Sequence, residues 1–242
     1  EGIQLKGKEI RIFMPRFGCI NERRNQLHEV IRLSGMNLII NDTDHPLIIK
    51  VASIQKARMQ IYFIDNDDFF TKRKSTVFDK DGVFFKDNDD RTIFFSRGVI
   101  ETIRKLNWPP DIIHCNGWMS ALIPIYIKKT FIDNPLFSDS KIVLSIYDDD
   151  FPKSFPAGFD KKMKMNGIVP KDVKNLRTTN FVNLMKNAVD FSDAIIFGSE
   201  KINPKLEEYV KSSGKPFLEY QSPENYVDAY NDFYDSLLKE EK

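Results

Sequence analysis

The sequence has few cysteines, no long apolar run and almost no net charge, and each of these features excludes some classes of protein. Only two cysteines occur, Cys19 and Cys115, which are too few for a disulfide framework and lack the spacing of metal ligands. No apolar run approaches the roughly 20 residues that span a bilayer. The formal net charge is only +1, so no basic surface for nucleic acid or for a membrane is indicated. We therefore expect a cytoplasmic protein that has neither nucleic acid nor a membrane as its partner.

Motifs for metal or cofactor binding are also missing. The three histidines are far apart in the sequence and form no ligand pair. Acidic clusters at 65–68, 87–90 and 148–150 lack the glycine and glutamate spacing of a calcium loop, and we interpret them as solvated loops or first turns of helices. The glycine-containing run at 211–216 lacks the spacing of a phosphate-binding loop. We expect no metal and no cofactor.

Hydrophobic periodicity predicts alternating strands and helices in the second half of the chain. The predicted strands are 111–114, 141–147, 194–199 and 215–220, and the predicted helices are 118–131, 179–193, 200–213 and 223–242. Such alternation is typical of right-handed βαβ crossovers and a mainly parallel sheet. Pro124 should kink the first of these helices.

The first half of the chain has a different pattern. Strands are predicted at 8–15, 46–54 and 57–66, before the most regular helix of the sequence at 89–108. Successive strands without a helix between them indicate an antiparallel or hairpin insertion. We therefore expect one α/β domain over residues 1–242.

Two segments depart from regular patterning. The opening stretch is typical of the tail of a helix that ends at Gly7, so we expect that a first strand of the domain is missing before it. Residues 151–178 are rich in lysine and weakly patterned, which predicts an irregular excursion or a mobile loop.

Polar residues follow three of the predicted parallel strands. In an open parallel sheet, ligands bind just beyond the carboxyl ends of the strands. The residues at these ends are His114, Asn116, Tyr147, Asp148, Ser199 and Glu200. We predict that they converge on one edge of the sheet, which we call the strand-end rim. The alternative for each residue is that it only completes a strand or caps a helix.

The last predicted helix has an aromatic face. Tyr226, Tyr230, Phe233 and Tyr234 follow the i, i+4, i+7, i+8 spacing of one side of a helix. This spacing favours a buried face, and a docking surface is the alternative.

Four stretches in order along the chain resemble the N-terminal catalytic half of glycogen and starch synthases. "WPPDIIHCNGWMSALIPIYIKK" is similar to the family pattern Trp-x-Pro-Asp-apolar-apolar-His-x-(His or Asn)-Asp-Trp-His. "KGKEIRIFMPRFG" and "DRTIFFSRGVIE" resemble a family strand and a family helix. "NFVNLMKNAVDFSDAIIFGSEKI" resembles the segment that contains Asn-x-x-Lys-x-Gly and places Asn183 and Lys186 at its polar positions. The resemblance covers most of residues 3–205.

This resemblance implies a Rossmann-like fold that forms one half of a two-domain glycosyltransferase. Such enzymes hold ADP-glucose in a cleft and add glucose to an α-1,4-glucan with retention of configuration, without a metal in the transfer step. The implied ligands are therefore a nucleotide sugar and an α-glucan. The resemblance adds Gly117, Trp118, Met119, Asn183 and Lys186 to the candidate residues of the strand-end rim.

Departures from the family pattern fall on the same rim. Gly117 stands where the family has aspartate, Met119 where it has histidine, and Tyr147 and Asp148 where it has histidine and asparagine. Methionine has neither the proton chemistry nor the hydrogen bonding of histidine. The family's Lys-x-Gly-Gly loop, its paired glutamates and its diphosphate clamp have no counterpart in these residues.

Two hypotheses of different classes follow. The first is a synthase-like glucosyltransferase domain that is inactive alone, or active only with a separate partner chain. The alternative is a non-catalytic module that binds glucan or nucleotide sugar, or serves as a scaffold in glycogen metabolism. The ordered matches disfavour an unrelated Rossmann-like enzyme.

Overall fold

The computed structural model describes residues 1–57 and 59–239. The chain divides into two compact units, Glu1–Leu106 and Asn107–Lys242. Each unit has its own sheet. The single domain expected over 1–242 stays a prediction. Among the helices of the described residues, none is long and apolar enough to cross a membrane.

The first unit is a mixed sheet with one long helix. Its elements are α1 (Gly2–Leu5), β1 (Arg11–Pro15), β2 (His28–Glu29), β3 (Met36–Ile40), β4 (Thr43–Ile54), β5 (Met59–Asp65) and α2 (Asn88–Leu106). The strand order is β1-β5-β4-β2, and β3 also pairs with β4. β1 and β5 are parallel, whereas β4 is antiparallel to β2, β3 and β5. The three strands predicted from the sequence are confirmed.

The predicted hairpin is formed by β3 and β4. Asn41 and Asp42 connect these strands, and both have positive φ, at 51° and 60°. Asparagine and aspartate tolerate this conformation better than other side chains, and the turn matches the twist of a hairpin. The antiparallel part of the expected fold is therefore present.

Helix α2 confirms the helix predicted at 89–108. Asp89 and Asp90 lie in its first turn and Arg104 and Lys105 in its last, which is the favourable orientation for the helix dipole. A Cβ added to Gly98 would lie 2.7 Å from Cγ2 of Ile64, so the glycine permits a close approach of the helix to the sheet.

The second unit contains the parallel sheet. Its elements are β6 (Ile112–Asn116), α3 (Ile123–Ile125), β7 (Lys141–Ile146), α4 (Phe159–Lys162), α5 (Phe181–Phe191), β8 (Ala194–Phe197), α6 (Pro204–Ser212), β9 (Phe217–Leu218) and α7 (Tyr226–Lys239). The order is β6-β7-β8-β9 and every pair is parallel. β7 is buried at five of its six positions, which makes it the centre of this core. The Rossmann-like α/β prediction is confirmed.

The prediction of one continuous helix over residues 118–131 is wrong. Instead of a single kinked helix over 118–131, the chain forms a 3-10 turn at Trp118–Ser120, the short helix α3 and a π-helical turn at Tyr126–Thr130. Pro124 lies in the first turn of α3, where its missing N–H costs no hydrogen bond. The proline therefore starts a new helical segment and does not kink an existing one.

Residues 151–178 contain two short helical segments, α4 and a 3-10 turn at Lys174–Arg177, and most of their large apolar side chains are buried. The rings of Phe151 and Phe155 stack with centroids 4.8 Å apart, and the ring of Phe159 packs edge-on against Phe155. The hydroxyl of Tyr126 donates a hydrogen bond of 2.8 Å to the carbonyl of Met163. The segment thus adds to the hydrophobic core of the second unit.

The C-terminal helix begins later than predicted. The amides of Asn225 and Tyr226 both donate to the carbonyl of Ser222, and the regular helix α7 starts at Tyr226. The predicted helix extended to residue 242, and residues 240–242 lie outside the described residues.

Candidate functional site

The ends of β6 and β7 place polar side chains on the same face of the sheet. Side chains alternate along a strand, so His114 and Asn116 share a face, as do Ser145 and Tyr147. Asn116 is the register partner of Ser145. The hydroxyl of Tyr147 donates a hydrogen bond of 2.8 Å to Oδ1 of Asn116. Two of the predicted rim residues are therefore in direct contact.

His114 is held between two hydroxyl groups. Its Nε2 lies 2.7 Å from Oγ of Ser145, and its Nδ1 lies 2.7 Å from the hydroxyl of Tyr234 on α7. Burial lowers the pKa of His114 to about 4. The imidazole is therefore neutral at pH 7 and accepts from one hydroxyl while it donates to the other. This ring fixes the position of α7 and carries no charge into the site.

The turn after β6 depends on a glycine and on a carboxylate from the next strand end. Gly117 has φ 65° and ψ −175°, a region that essentially only glycine occupies. A Cβ at this position would lie 2.8 Å from Oδ2 of Asp149. Burial raises the pKa of Asp149 to about 6, while a hydrogen bond from the backbone amide of Trp118 lowers it. The Asp149 carboxylate thus fills the space that a side chain at 117 would need.

The third strand end joins the other two. The backbone amide of Asp148 donates to Oγ of Ser199 over 3.1 Å. A Cβ added to Gly198 would lie only 2.4 Å from Cε1 of Tyr147, so the tyrosine ring packs directly on this glycine. Asn203 donates a hydrogen bond of 2.7 Å to Asp150. The contacts bring the loops after β6, β7 and β8 together, while Glu200 is exposed at the end of β8.

Other candidates have partners elsewhere in the second unit. Nζ of Lys186 lies 4.7 Å from the ring centroid of Tyr209 on α6. The side-chain amide of Asn183 donates to the carbonyl of Thr178. Trp118 is buried against Phe151, with ring centroids 5.3 Å apart, and Met119 is half-buried. A role in ligand binding for these four residues stays a prediction.

Sequence reasoning did not place Ser145, Asp149, Tyr230 or Tyr234 at the rim. Ser145 lies in β7 two residues before Tyr147, so the two-residue period of a strand could have placed it on the same face as Tyr147. Asp149 lies two residues after Tyr147, beyond the end of the strand. Tyr230 and Tyr234 come from α7, and their rings lie 6.0 and 5.8 Å from the ring of His114. Their position results from packing across more than a hundred residues, for which local patterns give no signal.

The rim has an acidic balance. Its loops, 116–119, 147–153 and 198–201, contain four acidic residues and two lysines. The acidic residues are Asp148, Asp149, Asp150 and Glu200, and both lysines, Lys153 and Lys201, are exposed. Hydroxyl and amide groups of Tyr147, Asn116 and Ser199 lie beside them. These hydroxyl and amide groups can form hydrogen bonds with a neutral polyhydroxyl compound. The excess of negative charge in the loops repels a diphosphate.

The family model of the starch synthase catalytic domain matches residues 1–211. The chain belongs to the starch synthase catalytic-domain family. The glycogen synthase of Chlorobium limicola is 32% identical over 197 residues, which cover 81% of this chain and 39% of that protein. The glycogen synthase of Pelodictyon phaeoclathratiforme is 29% identical over 252 residues, which cover 99% of this chain and 50% of that protein. The chain thus spans half or less of the length of these relatives.

A solved structure supports the fold. The catalytic domain of starch synthase IV from Arabidopsis thaliana, bound to ADP and acarbose, matches with a TM-score of 0.70 and 16% sequence identity. The match covers 90% of this chain and 45% of that catalytic domain. The predicted relation to glycogen and starch synthases and the predicted α/β fold are both confirmed.

Proposed function

We propose that this chain is a glycogen/starch-synthase-type domain that takes part in the addition of glucose from ADP-glucose to an α-1,4-glucan and does not transfer glucose by itself. The charge of the strand-end rim carries this proposal. Transfer releases ADP, and its developing negative charge needs preorganised donors or cations. The rim instead presents the exposed carboxylates of Asp148 and Asp150, beside the half-buried Asp149.

The uncharged groups support the same conclusion. A neutral His114, engaged on both ring nitrogens, has no free position for proton transfer. Met119 offers no hydrogen-bond donor in place of the family's histidine. Tyr147 is bonded to Asn116, and burial raises its pKa, so it remains a neutral phenol. The described rim therefore supplies contacts for a sugar, and its four acidic residues outnumber the two exposed lysines that could stabilise the leaving diphosphate.

A second candidate function is a non-catalytic glucan-binding or scaffold module. The exposed tyrosine Tyr226 favours it, since this side chain is 44% exposed and its ring lies 5.8 Å from the ring of Tyr230, which itself lies 6.0 Å from the ring of His114. The starch synthase IV catalytic domain has both ADP and acarbose bound. For this chain we propose the carbohydrate as the ligand of the rim.

We propose that the protein lies in the cytoplasm because both of its cysteines are free.

A transfer assay tests the first proposal. The purified chain is incubated with radiolabelled ADP-glucose and glycogen, and a full-length glycogen synthase serves as the positive control. We expect no incorporation above the blank without enzyme. Addition of a separate synthase C-terminal domain tests whether a partner chain restores transfer. Steady incorporation by the chain alone would overturn the proposal.

A further inference from the structure

The charges of the second unit are separated along the sequence. Residues 153–177 contain seven lysine or arginine residues and two aspartates, whereas residues 219–239 contain one lysine and five acidic residues. The formal charges of these segments are therefore +5 and −4, in a chain whose net charge is only +1. A segment with such an excess of one sign produces a local potential that attracts a surface of the opposite sign.

The cations of residues 153–177 are almost all exposed. We call the exposed ones the basic surface, which consists of Lys153, Lys161, Lys164, Lys171, Lys174 and Arg177. Helix α4 packs against the 3-10 turn Lys174–Arg177, so Lys161 and Lys174 come from neighbouring segments of this surface. Asp172 is buried, and its carboxylate lies 3.0 Å from Nζ of Lys129, which is outside the segment. The aspartate therefore neutralises little of the basic surface.

The basic surface is held in place by the core beneath it. Phe151, Phe155 and Phe159 are all buried, and they are the aromatic residues of this segment. A Cβ added to Gly167 would lie 2.4 Å from the carbonyl oxygen of Lys129, so the loop lies directly on the neighbouring main chain. With its aromatic rings turned inward, the segment has none to stack on a nucleic acid base or to enter a membrane interface. The partner that it fits is a folded acidic protein surface.

Helix α7 has a surface of the opposite charge. Glu224, Asp228 and Asp232 follow one another at intervals of four residues, which places them on one side of the helical segment. All three are exposed, whereas Tyr234 and Leu237 are buried. We call Glu224, Asp228 and Asp232 the acidic ridge.

We propose that the chain associates with a second copy of itself, with the basic surface of one copy bound to the acidic ridge of the other. Complementary charge selects which surfaces meet and speeds their encounter. An exposed apolar side chain lies in the sequence of each surface and can be buried in the contact, namely Val169, which is 42% exposed, and Leu238, which is 39% exposed. The proposal goes beyond the proposed function, since the contact requires neither transfer of glucose nor a bound sugar.

The proposed contact joins two different surfaces. Such a heterologous interface produces closed rings or open chains, according to whether the rotation between copies closes. Each copy retains one surface of each kind after a first contact forms. The average mass should therefore rise with protein concentration.

Sedimentation equilibrium of the purified chain tests the proposal. At about 0.02 M salt we expect an average mass above the 28.2 kDa of one chain. At about 0.5 M salt, where exposed charges are screened within about 5 Å, the mass should return to that of one chain.

Two charge-reversed variants test the two surfaces separately. Lys161→Glu/Lys174→Glu changes the basic surface, and Glu224→Lys/Asp232→Lys changes the acidic ridge. Each variant alone should lose association at low salt. An equimolar mixture of the two should form dimers, because each variant supplies the surface that the other has lost. Circular dichroism and melting temperature establish that both variants are folded.

A matched control changes the net charge by the same amount at another place. Lys74→Glu/Lys80→Glu replaces two exposed lysines of the first unit and should associate as the wild type does. An equal loss of association in this control would overturn the proposal, as would a mixture of the folded variants that does not associate. A wild-type chain that keeps the mass of one copy at low salt would also overturn it and would leave the basic surface for an acidic partner of another sequence.

Discussion

Tyr234 and His114 are 120 residues apart in the sequence, and the hydroxyl of the first lies 2.7 Å from Nδ1 of the second. The same imidazole bonds through Nε2 to the hydroxyl of Ser145 on the neighbouring strand. One neutral ring therefore joins β6, β7 and α7. It holds the C-terminal helix at the strand ends and is a structural element of the rim.

Replacement of Tyr234 by phenylalanine should destabilise the protein by about 1–3 kcal/mol, because it leaves a buried ring nitrogen of His114 without its partner. Urea unfolding followed by circular dichroism measures this change. Tyr226→Phe, at an exposed position of the same helix, is the control and should change the free energy of unfolding by less than about 0.5 kcal/mol. Equal effects of the two substitutions would contradict the anchoring role.

His114 should make stability depend on pH. Its pKa is about 4 in the folded chain, below the ordinary value of 6.5 that applies after unfolding. Between these values the unfolded chain binds a proton that the folded chain does not, so this contribution to stability is present above pH 6.5 and is lost as the pH falls toward 4. The melting temperature of the wild type should therefore fall between pH 6.5 and pH 4, and His114→Gln should make this fall smaller. An unchanged decline would show that the ring is not held neutral.

Asp149 should change stability with pH in the direction opposite to His114. Burial raises its pKa from 3.8 to about 6, so between these values the folded chain binds a proton that the unfolded chain does not. The contribution of Asp149 to stability therefore improves as the pH falls through 6. We expect Asp149→Asn, which keeps an acceptor for the amide of Trp118, to melt above the wild type at pH 7.5. The difference should shrink toward pH 4, and a difference that grows would contradict this assignment.

The turn at Gly117 should resist any side chain while Asp149 is present. Gly117→Ala combines an unfavourable backbone conformation, which costs about 1–3 kcal/mol, with a contact of 2.8 Å to Asp149. Gly214→Ala, at φ 72° with open space around it, measures a conformational cost without a contact. The double variant Gly117→Ala/Asp149→Ala should recover part of the loss in urea unfolding. No coupling between the two substitutions would contradict the contact between position 117 and Asp149.

The fold was predictable where local patterns are strong. Short apolar runs located β1, β4, β5, β7 and β8, and the 3.6-residue period located α2 and α5. The runs of β7 and β8 are continuous because these strands are buried on both faces. The region after β6 was not predictable in form. Its apolar pattern suits one long helix, but the conformation of Gly117 and the position of Pro124 divide it into three short segments.

The candidate site was predictable only in part. Strand ends identified Asn116, Tyr147, Asp148 and Ser199, whose contacts the structure shows, because parallel strands end at a common edge. Asp149 was interpreted as part of a solvated cluster, and its burial depends on the missing side chain at Gly117. The contact between α7 and His114 depends on tertiary packing, for which the sequence has no local signal.

Calorimetric titration of the purified chain with ADP tests the central claim most directly. The claim is that the acidic strand-end rim of this synthase-family domain is a site for neutral sugar and holds no diphosphate. We predict no heat of ADP binding under conditions in which maltoheptaose gives a saturable signal. Saturable ADP binding that weakens as ionic strength rises would show an anion clamp on this chain and would contradict the account.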